Sequence, residues 1–260
     1  MSDNKNNLQA IGLLLILSLI WGTSFILIKQ GLKVFAADEV AALRVTAACL
    51  FLLPVALIKL KELSKKDYSV LFISGLMGIF IPAFLFAYAQ TRLASSVAGI
   101  LNTLSPLWTM ILGALFFGQR FKGYAIIGII IGFGGSVILA LSRSGGTLGG
   151  FNEFTLLIVL ACAFYGANVN WVKFKIHNIA PFTITCVSVL LIGPFAAIYL
   201  FGFSNFTTKL DTIEGAWRAC GFVVLLGCMS TSIATALFNK LIKIIRSYPP
   251  NLRVYNSYKN

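Results

Sequence analysis

Apolar residues run through the chain in long blocks separated by short polar gaps. Eight blocks stand out, at roughly 8–28, 39–58, 69–90, 94–117, 122–142, 154–171, 181–203 and 217–238. A helix needs about 20 mostly apolar residues to cross the hydrocarbon core of a bilayer. Each block therefore predicts one spanning helix, span one to span eight in chain order. Charges are nearly confined to the gaps, as with Lys59, Lys61, Glu62, Lys65, Lys66 and Asp67 between spans two and three. The leader Met1–Asn7 holds one Lys, and the apolar run behind it is about 21 residues long. That exceeds a signal-peptide core, and no small-residue cleavage site follows, so a retained first helix is expected. The longest gap, Leu141–Phe154, contains Gly145-Gly146 and Gly149-Gly150 and reads as a flexible linker between two halves.

Composition makes lipid the solvent for most of the chain. Hydrophobic residues are 58% and charged residues 11%, the latter against about 25% in soluble proteins. Mean hydropathy is +0.89. Eight acidic and 21 basic residues cannot cover a soluble globule of this size. A net charge of +13 raises nucleic acid as a partner, but that needs a basic face on a soluble domain. Here Lys and Arg stand singly or in pairs beside apolar runs, as membrane-flanking residues do, so no nucleic-acid partner is expected. Cys49, Cys162, Cys186, Cys220 and Cys228 form no C-x-x-C pair and all fall in apolar stretches. They read as buried small residues, not as a disulfide framework or a metal site.

The distribution of basic residues predicts orientation. With the N-terminus inside, the cytoplasmic set is Lys5, Lys59, Lys61, Lys65, Lys66, Arg120, Lys122, Lys173 and Lys175 plus five more in the C-terminal tail. The outer set is Lys29, Lys33, Arg92, Arg143, Lys209 and Arg218. Both termini are therefore expected in the cytoplasm.

An internal repeat crosses the linker. Trp21-Gly22 in span one is followed eight residues later by Lys29, and Tyr165-Gly166 in span six is followed eight residues later by Lys173. Halves of five spans each would be related by inverted topology, because five is odd. Inverted repeats are a signature of secondary transporters with a substrate site between the halves. The first half, 8–142, holds spans one to five. The second, 154–245, holds spans six to eight and reads as two spans short. A polar, basic tail over 246–260 follows, broken by Pro249-Pro250.

Two stretches carry a family resemblance. Leu17–Arg44 (LSLIWGTSFILIKQGLKVFAADEVAALR) and Ala89–Lys122 (AQTRLASSVAGILNTLSPLWTMILGALFFGQRFK) resemble EamA-domain transporters of the drug/metabolite transporter superfamily. The resemblance covers roughly 8–245. It implies an all-α polytopic membrane protein of ten helices in two inverted five-helix repeats, with about eight present here. It also implies export of small metabolites, amino acids or drug-like solutes, across the bacterial inner membrane. Gln119 stands where family members commonly carry Glu, and the stretch after Ile245 does not resemble the family's ninth helix. An alternative stays open: a truncated, transport-incompetent fragment or an assembly or scaffold protein.

Inside lipid every polar side chain needs a reason. All eight acids (Asp3, Asp38, Glu39, Glu62, Asp67, Glu153, Asp211 and Glu214) fall in gaps or at span ends, which disfavours coupling through a central titrating carboxylate. The interior polar groups are neutral: Trp21, Thr23 and Ser24; Asn102, Thr103 and Ser105; Tyr165, Asn168 and Asn170; Ser230, Thr231 and Ser232. Pro106 is expected to free a backbone carbonyl in span four. The family's cavity lies among the matching helices, which implies substrate-binding roles for Trp21, Ser24, Tyr88, Asn102 and Asn168. The competing reading is structural, because Ser and Thr often bond their own backbone and Asn often ties helices together. Arg44 is the one basic residue inside a span. It can snorkel, pair with Asp38 or Glu39, or attract an anion. Gly128, Gly132, Ser136 and Ala140 form a small-residue ridge on span five, read as a packing face within the fold or between protomers of a homo-oligomer. Enzyme readings fail on inventory: His177 has no intramembrane serine partner, no Asp pair lies in the spans, and no P-loop is present. No cofactor or metal is expected. The partners are a small-molecule substrate and the bilayer.

Overall fold

A computed structural model of the protein describes residues 2–143, 153–176 and 178–246. The Gly-rich linker, His177 and the tail from 247 lie outside the described residues. Every described element is helical, because hydrocarbon offers the backbone no partner and a helix satisfies its own N–H and C=O groups.

Span one is Ser2–Gly31 and span two Ala37–Leu60. Spans three and four are Lys65–Arg92 and Ser95–Phe117. Span five is Gly123–Arg143, span six Thr155–Lys175 and span seven Pro181–Gly202. A short helix, Phe206–Thr212, leads into span eight, Ala216–Leu241, which continues as helix to Arg246. Among the described residues seven of these helices are long and apolar enough to cross a membrane. Span five has an apolar stretch of Gly123–Gly135 within a 21-residue helix, whose rise of about 1.5 Å per residue also matches a bilayer core.

Spans two and seven form the centre. In each, 56% of the apolar 18-residue stretch is buried, against 17% in span one and 11% in span four. Ala41, Ala42, Ala47 and Ala48 line span two and let its neighbours approach closely. Around this axis span one packs on span eight, span three on span six, and span four on span six. The outer faces carry an apolar belt, including Leu15, Leu19, Leu115, Phe116, Ile131 and Phe201, suited to lipid tails. Of the five cysteines, Cys49, Cys162 and Cys186 are buried and Cys220 and Cys228 are half-buried, all as free thiols.

Two mid-span irregularities occupy matching places. Span three contains a π-helical segment at Leu76–Phe80, and span eight contains one at Gly227–Ala234. Aromatic contacts match as well. Trp21 of span one meets Phe238 of span eight edge-on at 5.3 Å, and Tyr165 of span six stacks on Phe86 of span three at 6.0 Å. The glycines beside these aromatics differ. A Cβ at Gly166 would meet the Thr109 amide nitrogen and the Trp108 carbonyl carbon, each at 2.7 Å. Only glycine lets the span-four backbone lie this close. Gly22 has nothing within 4 Å of the equivalent point, so the flank of span one there is uncovered. On span five Gly128 is likewise open, and Gly132 faces an internal cavity. Gly128 therefore has room beside it among the described residues, and the side chains of Ser136 and Ala140 lie outside the described residues.

Gly166→Ala is expected to destabilise the fold by about 2 kcal/mol through overpacking. Gly22→Ala should change stability by less than about 0.5 kcal/mol. Unfolding midpoints in detergent decide this, and equal shifts for the two variants would refute the packing difference.

Candidate functional site

A cavity of about 880 Å³ lies among spans one to six and span eight. The break in span four shapes one wall. The helix stops at Asn102 and restarts at Ser105, with Thr103 and Leu104 in a turn. Pro106 has no N–H to give the Asn102 carbonyl. The carbonyl is nevertheless not free, because the Ser105 hydroxyl donates to it at 2.9 Å and also reaches Asn102 Oδ1 at 3.2 Å. The open carbonyl expected from the sequence is thus filled from within the same turn.

Trp21, Ser24, Asn102 and Asn168 all line this cavity. Tyr88 does not. It is 45% exposed, on the side of span three near Asp38 and Tyr199, and its backbone carbonyl accepts from the Thr91 hydroxyl at 2.7 Å. Phe86, two residues earlier, takes the cavity position, since residues two apart on a helix point to nearly opposite sides. Several lining side chains also have structural duties. The Ser24 hydroxyl donates to the Ile20 carbonyl at 2.7 Å, and Asn168 Oδ1 accepts from the Ser74 hydroxyl of span three at 2.8 Å. Thr23 points elsewhere, its hydroxyl bonded to the Leu19 carbonyl at 2.9 Å.

Arg44 is the largest departure from expectation. It faces the cavity and does not pair with Asp38 or Glu39. A Cβ at Gly227 would lie 2.5 Å from the Arg44 carbonyl oxygen, so glycine there brings span eight against span two. The π-helical segment that starts at Gly227 then presents Ser230 and Thr231 to the guanidinium. Nε donates to Thr231 Oγ1 at 2.7 Å, and a terminal nitrogen reaches Ser230 Oγ at 3.5 Å. Asp38 instead accepts from the Tyr199 hydroxyl, and Glu39 pairs with Lys209 at 2.6 Å. Tyr165, Phe238 and Asn239 complete the lining that the family resemblance did not supply. Tyr165 stood out in the sequence both as an interior polar group and through its match to Trp21. Asn239 carried no signal until span eight was in place, where it donates to Thr185 Oγ1 of span seven at 2.8 Å.

Polar ties secure the span ends on both sides of the cavity. At one end Lys29 Nζ donates to the Gln90 carbonyl at 2.6 Å and the Leu93 carbonyl at 3.1 Å, a cation on helix-terminal carbonyls. At the other, Lys173 Nζ donates to Gln119 Oε1 at 2.7 Å, and Gln119 Nε2 donates to Asn170 Oδ1 at 2.5 Å. Asn170 Nδ2 in turn holds the Thr109 and Gly166 carbonyls, both at 2.9 Å. Gln119 is thus a bridge between spans four and six. Among the described residues no group of three or more His, Cys, Asp or Glu gathers to hold a metal.

Residues 8–141, half of the chain, match the EamA-like transporter family. The chain belongs to that family. Its relatives are distant. An uncharacterized transporter of Archaeoglobus fulgidus is 26% identical over 81% of this EamA-like chain and 72% of its own length. A probable amino-acid metabolite efflux pump of Escherichia coli is 26% identical over 78% of the chain and 68% of the pump. An uncharacterized inner membrane transporter of the same organism is 24% identical over 97% and 79%. One crystal structure superposes with a TM-score of 0.55 at 20% identity, covering 91% of this chain and 78% of that one, and shares the fold. These matches and the apolar helices make the EamA-like chain an all-α, multi-pass membrane protein.

Lys209→Met would leave Glu39, whose side chain is 3% exposed, buried without its cation. The expected loss is about 3 kcal/mol, recovered in large part by adding Glu39→Gln. Thermal unfolding of the two variants checks this, and a single variant as stable as the parent would count against the ion pair.

Proposed function

We propose that this EamA-like chain is a secondary transporter, not an enzyme, moving small metabolites outward by alternating access. The observation that carries the reading is the cavity itself. It lies between segments of both sequence halves, 8–142 and 154–245, and is walled by amides, hydroxyls and aromatic rings. Such walls suit an amino-acid-like or drug-like solute held by a few hydrogen bonds and ring contacts. The matched π-helical segments and the paired Trp21–Phe238 and Phe86–Tyr165 contacts support two inverted halves that rock around the cavity. The efflux-pump name of one relative supports amino acids and an outward direction. The excess of basic residues on one side supports a cytoplasmic N-terminus and C-terminus in an inner membrane.

One observation favours a second reading, an assembly or scaffold protein that does not transport. The flank of span one at Gly22 is open, while span four covers the matching flank of span six at Gly166. A cavity with an uncovered flank need not seal against leakage. Reconstituted vesicles separate the two readings. Saturable solute flux supports transport, and its absence with full insertion supports the second. Asn102→Leu is expected to lower flux several-fold by removing a polar lining group, with membrane insertion unchanged. Flux equal to the parent would remove Asn102 from the site.

A further inference from the structure

Among the described residues the lining of the cavity holds one charge and no counter-charge. Arg44 belongs to its lining, and no Asp or Glu does. The acids nearest to it on span two are committed elsewhere. Asp38 accepts from Tyr199, and Glu39 accepts from Lys209 at 2.6 Å and from the Ala36 N–H at 2.8 Å. Among the described residues Arg44 donates to two neutral hydroxyls, at 2.7 and 3.5 Å, with the Tyr165 phenol near enough to interact. A guanidinium carries five N–H donors and remains charged at any physiological pH. At least three of its donor directions therefore have no protein acceptor among the described residues. A cation in low-dielectric surroundings is costly until an anion joins it.

We propose that Arg44 is the carboxylate-binding group of this cavity, and that the site prefers monoanionic carboxylates with an apolar body over the matching zwitterions and amines. The proposal rests on the transporter reading and names its substrate class. The guanidinium fork fits a carboxylate through two parallel charge-assisted bonds. A monoanion neutralises the site, whereas a zwitterion brings an ammonium that must find acceptors of its own. Those acceptors are partly engaged. The single Ser105 proton is shared between the Asn102 carbonyl and Asn102 Oδ1, and the Ser74 hydroxyl donates to Asn168 Oδ1, which leaves each of these oxygens only part of its accepting capacity. Hydroxyl oxygens remain, with no carboxylate among them. The two aromatic pairs, Trp21 with Phe238 and Phe86 with Tyr165, line the same space and offer rings to an apolar body.

Three probes that share a phenyl ring test the idea: 3-phenylpropanoate, phenylalanine and 2-phenylethylamine. Each is titrated by calorimetry against the full chain in lipid nanodiscs, and its flux is followed in vesicles. The carboxylate is expected to bind at least about tenfold more tightly than the amine, with the zwitterion between them. Arg44→Gln should erase that order, and Arg44→Lys should keep it in weaker form. If Arg44→Gln does not fold, the order among the probes in the parent and in Arg44→Lys decides. An amine that binds as well as the carboxylate overturns the proposal, as does an order unchanged in Arg44→Gln. Saturable flux that responds to Asn102→Leu but not to the charge of the probe would remove Arg44 and leave the transporter reading standing. Neither binding nor flux of any probe would remove both.

Discussion

Hydrocarbon supplies no hydrogen bonds, so each polar group inside the bundle must find its partner within the chain. Much of the architecture follows from that constraint. The break in span four is held closed by Ser105, which takes over the carbonyl that Pro106 leaves. The Lys29 ammonium rests on two carbonyls at the end of span three. Asn170 bonds three groups at once and fixes the approach of spans four and six. Serine hydroxyls bond across spans where neighbours are close, as Ser188 does to the Leu71 carbonyl at 2.9 Å. Arg44 meets the same constraint only in part, and the buried side chains of Thr46 and Gln90 have no hydrogen-bond partner among the described residues; of these three only Arg44 carries a charge and lines the cavity.

Close approach comes from small side chains and polar ties from short ones, and the two work together. Glycine at position 227 draws span eight onto span two at Arg44, and hydroxyls one turn further along then fall within reach of the guanidinium. Glycine at position 166 draws span four onto span six, where the Asn170 amide spans the gap. Neither contact is strong by itself. Their value is geometric, since they fix which faces of spans two, four, six and eight look into the cavity. The two central spans pack through alanines and apolar residues, with the Asp38–Tyr199 bond between them and Arg44, Glu39, Thr185 and Ser188 tying them to their neighbours.

The order of the spans was legible from apolar block length alone: each of the eight blocks is helical, seven are long and apolar enough to cross a membrane, and the break in span four and the short helix Phe206–Thr212 left no such trace. Trp21 and Asn102 were legible as cavity residues because an indole or an amide inside lipid demands an explanation. Tyr88 was misplaced because a resemblance fixes a stretch of helix and not the side of it that faces inward, and the π-helical segment at Leu76–Phe80 alters that phase just upstream. Arg44 could be flagged but not placed. Asp38 and Glu39 looked like its partners, and only the fold brings Tyr199 and Lys209 in to claim them. Ser230, Thr231 and Ser232 are buried in succession, a pattern that a regular helix read from sequence would spread over more than half of its circumference.

The two π-helical segments act as phase adjusters. In a regular helix one extra residue turns everything beyond it by about 100°. A π-helical turn absorbs such a residue locally, so the two ends of a span can be aimed separately. The first part of span eight keeps Val223 and Leu226 in the core, while its last part carries Phe238 to Trp21. Span three likewise seats Leu71 in one cluster and Phe86 in another. Each of these spans therefore behaves as two shorter levers joined at cavity depth, and a register slip of one residue at the joint would re-aim one lever while the other stayed still.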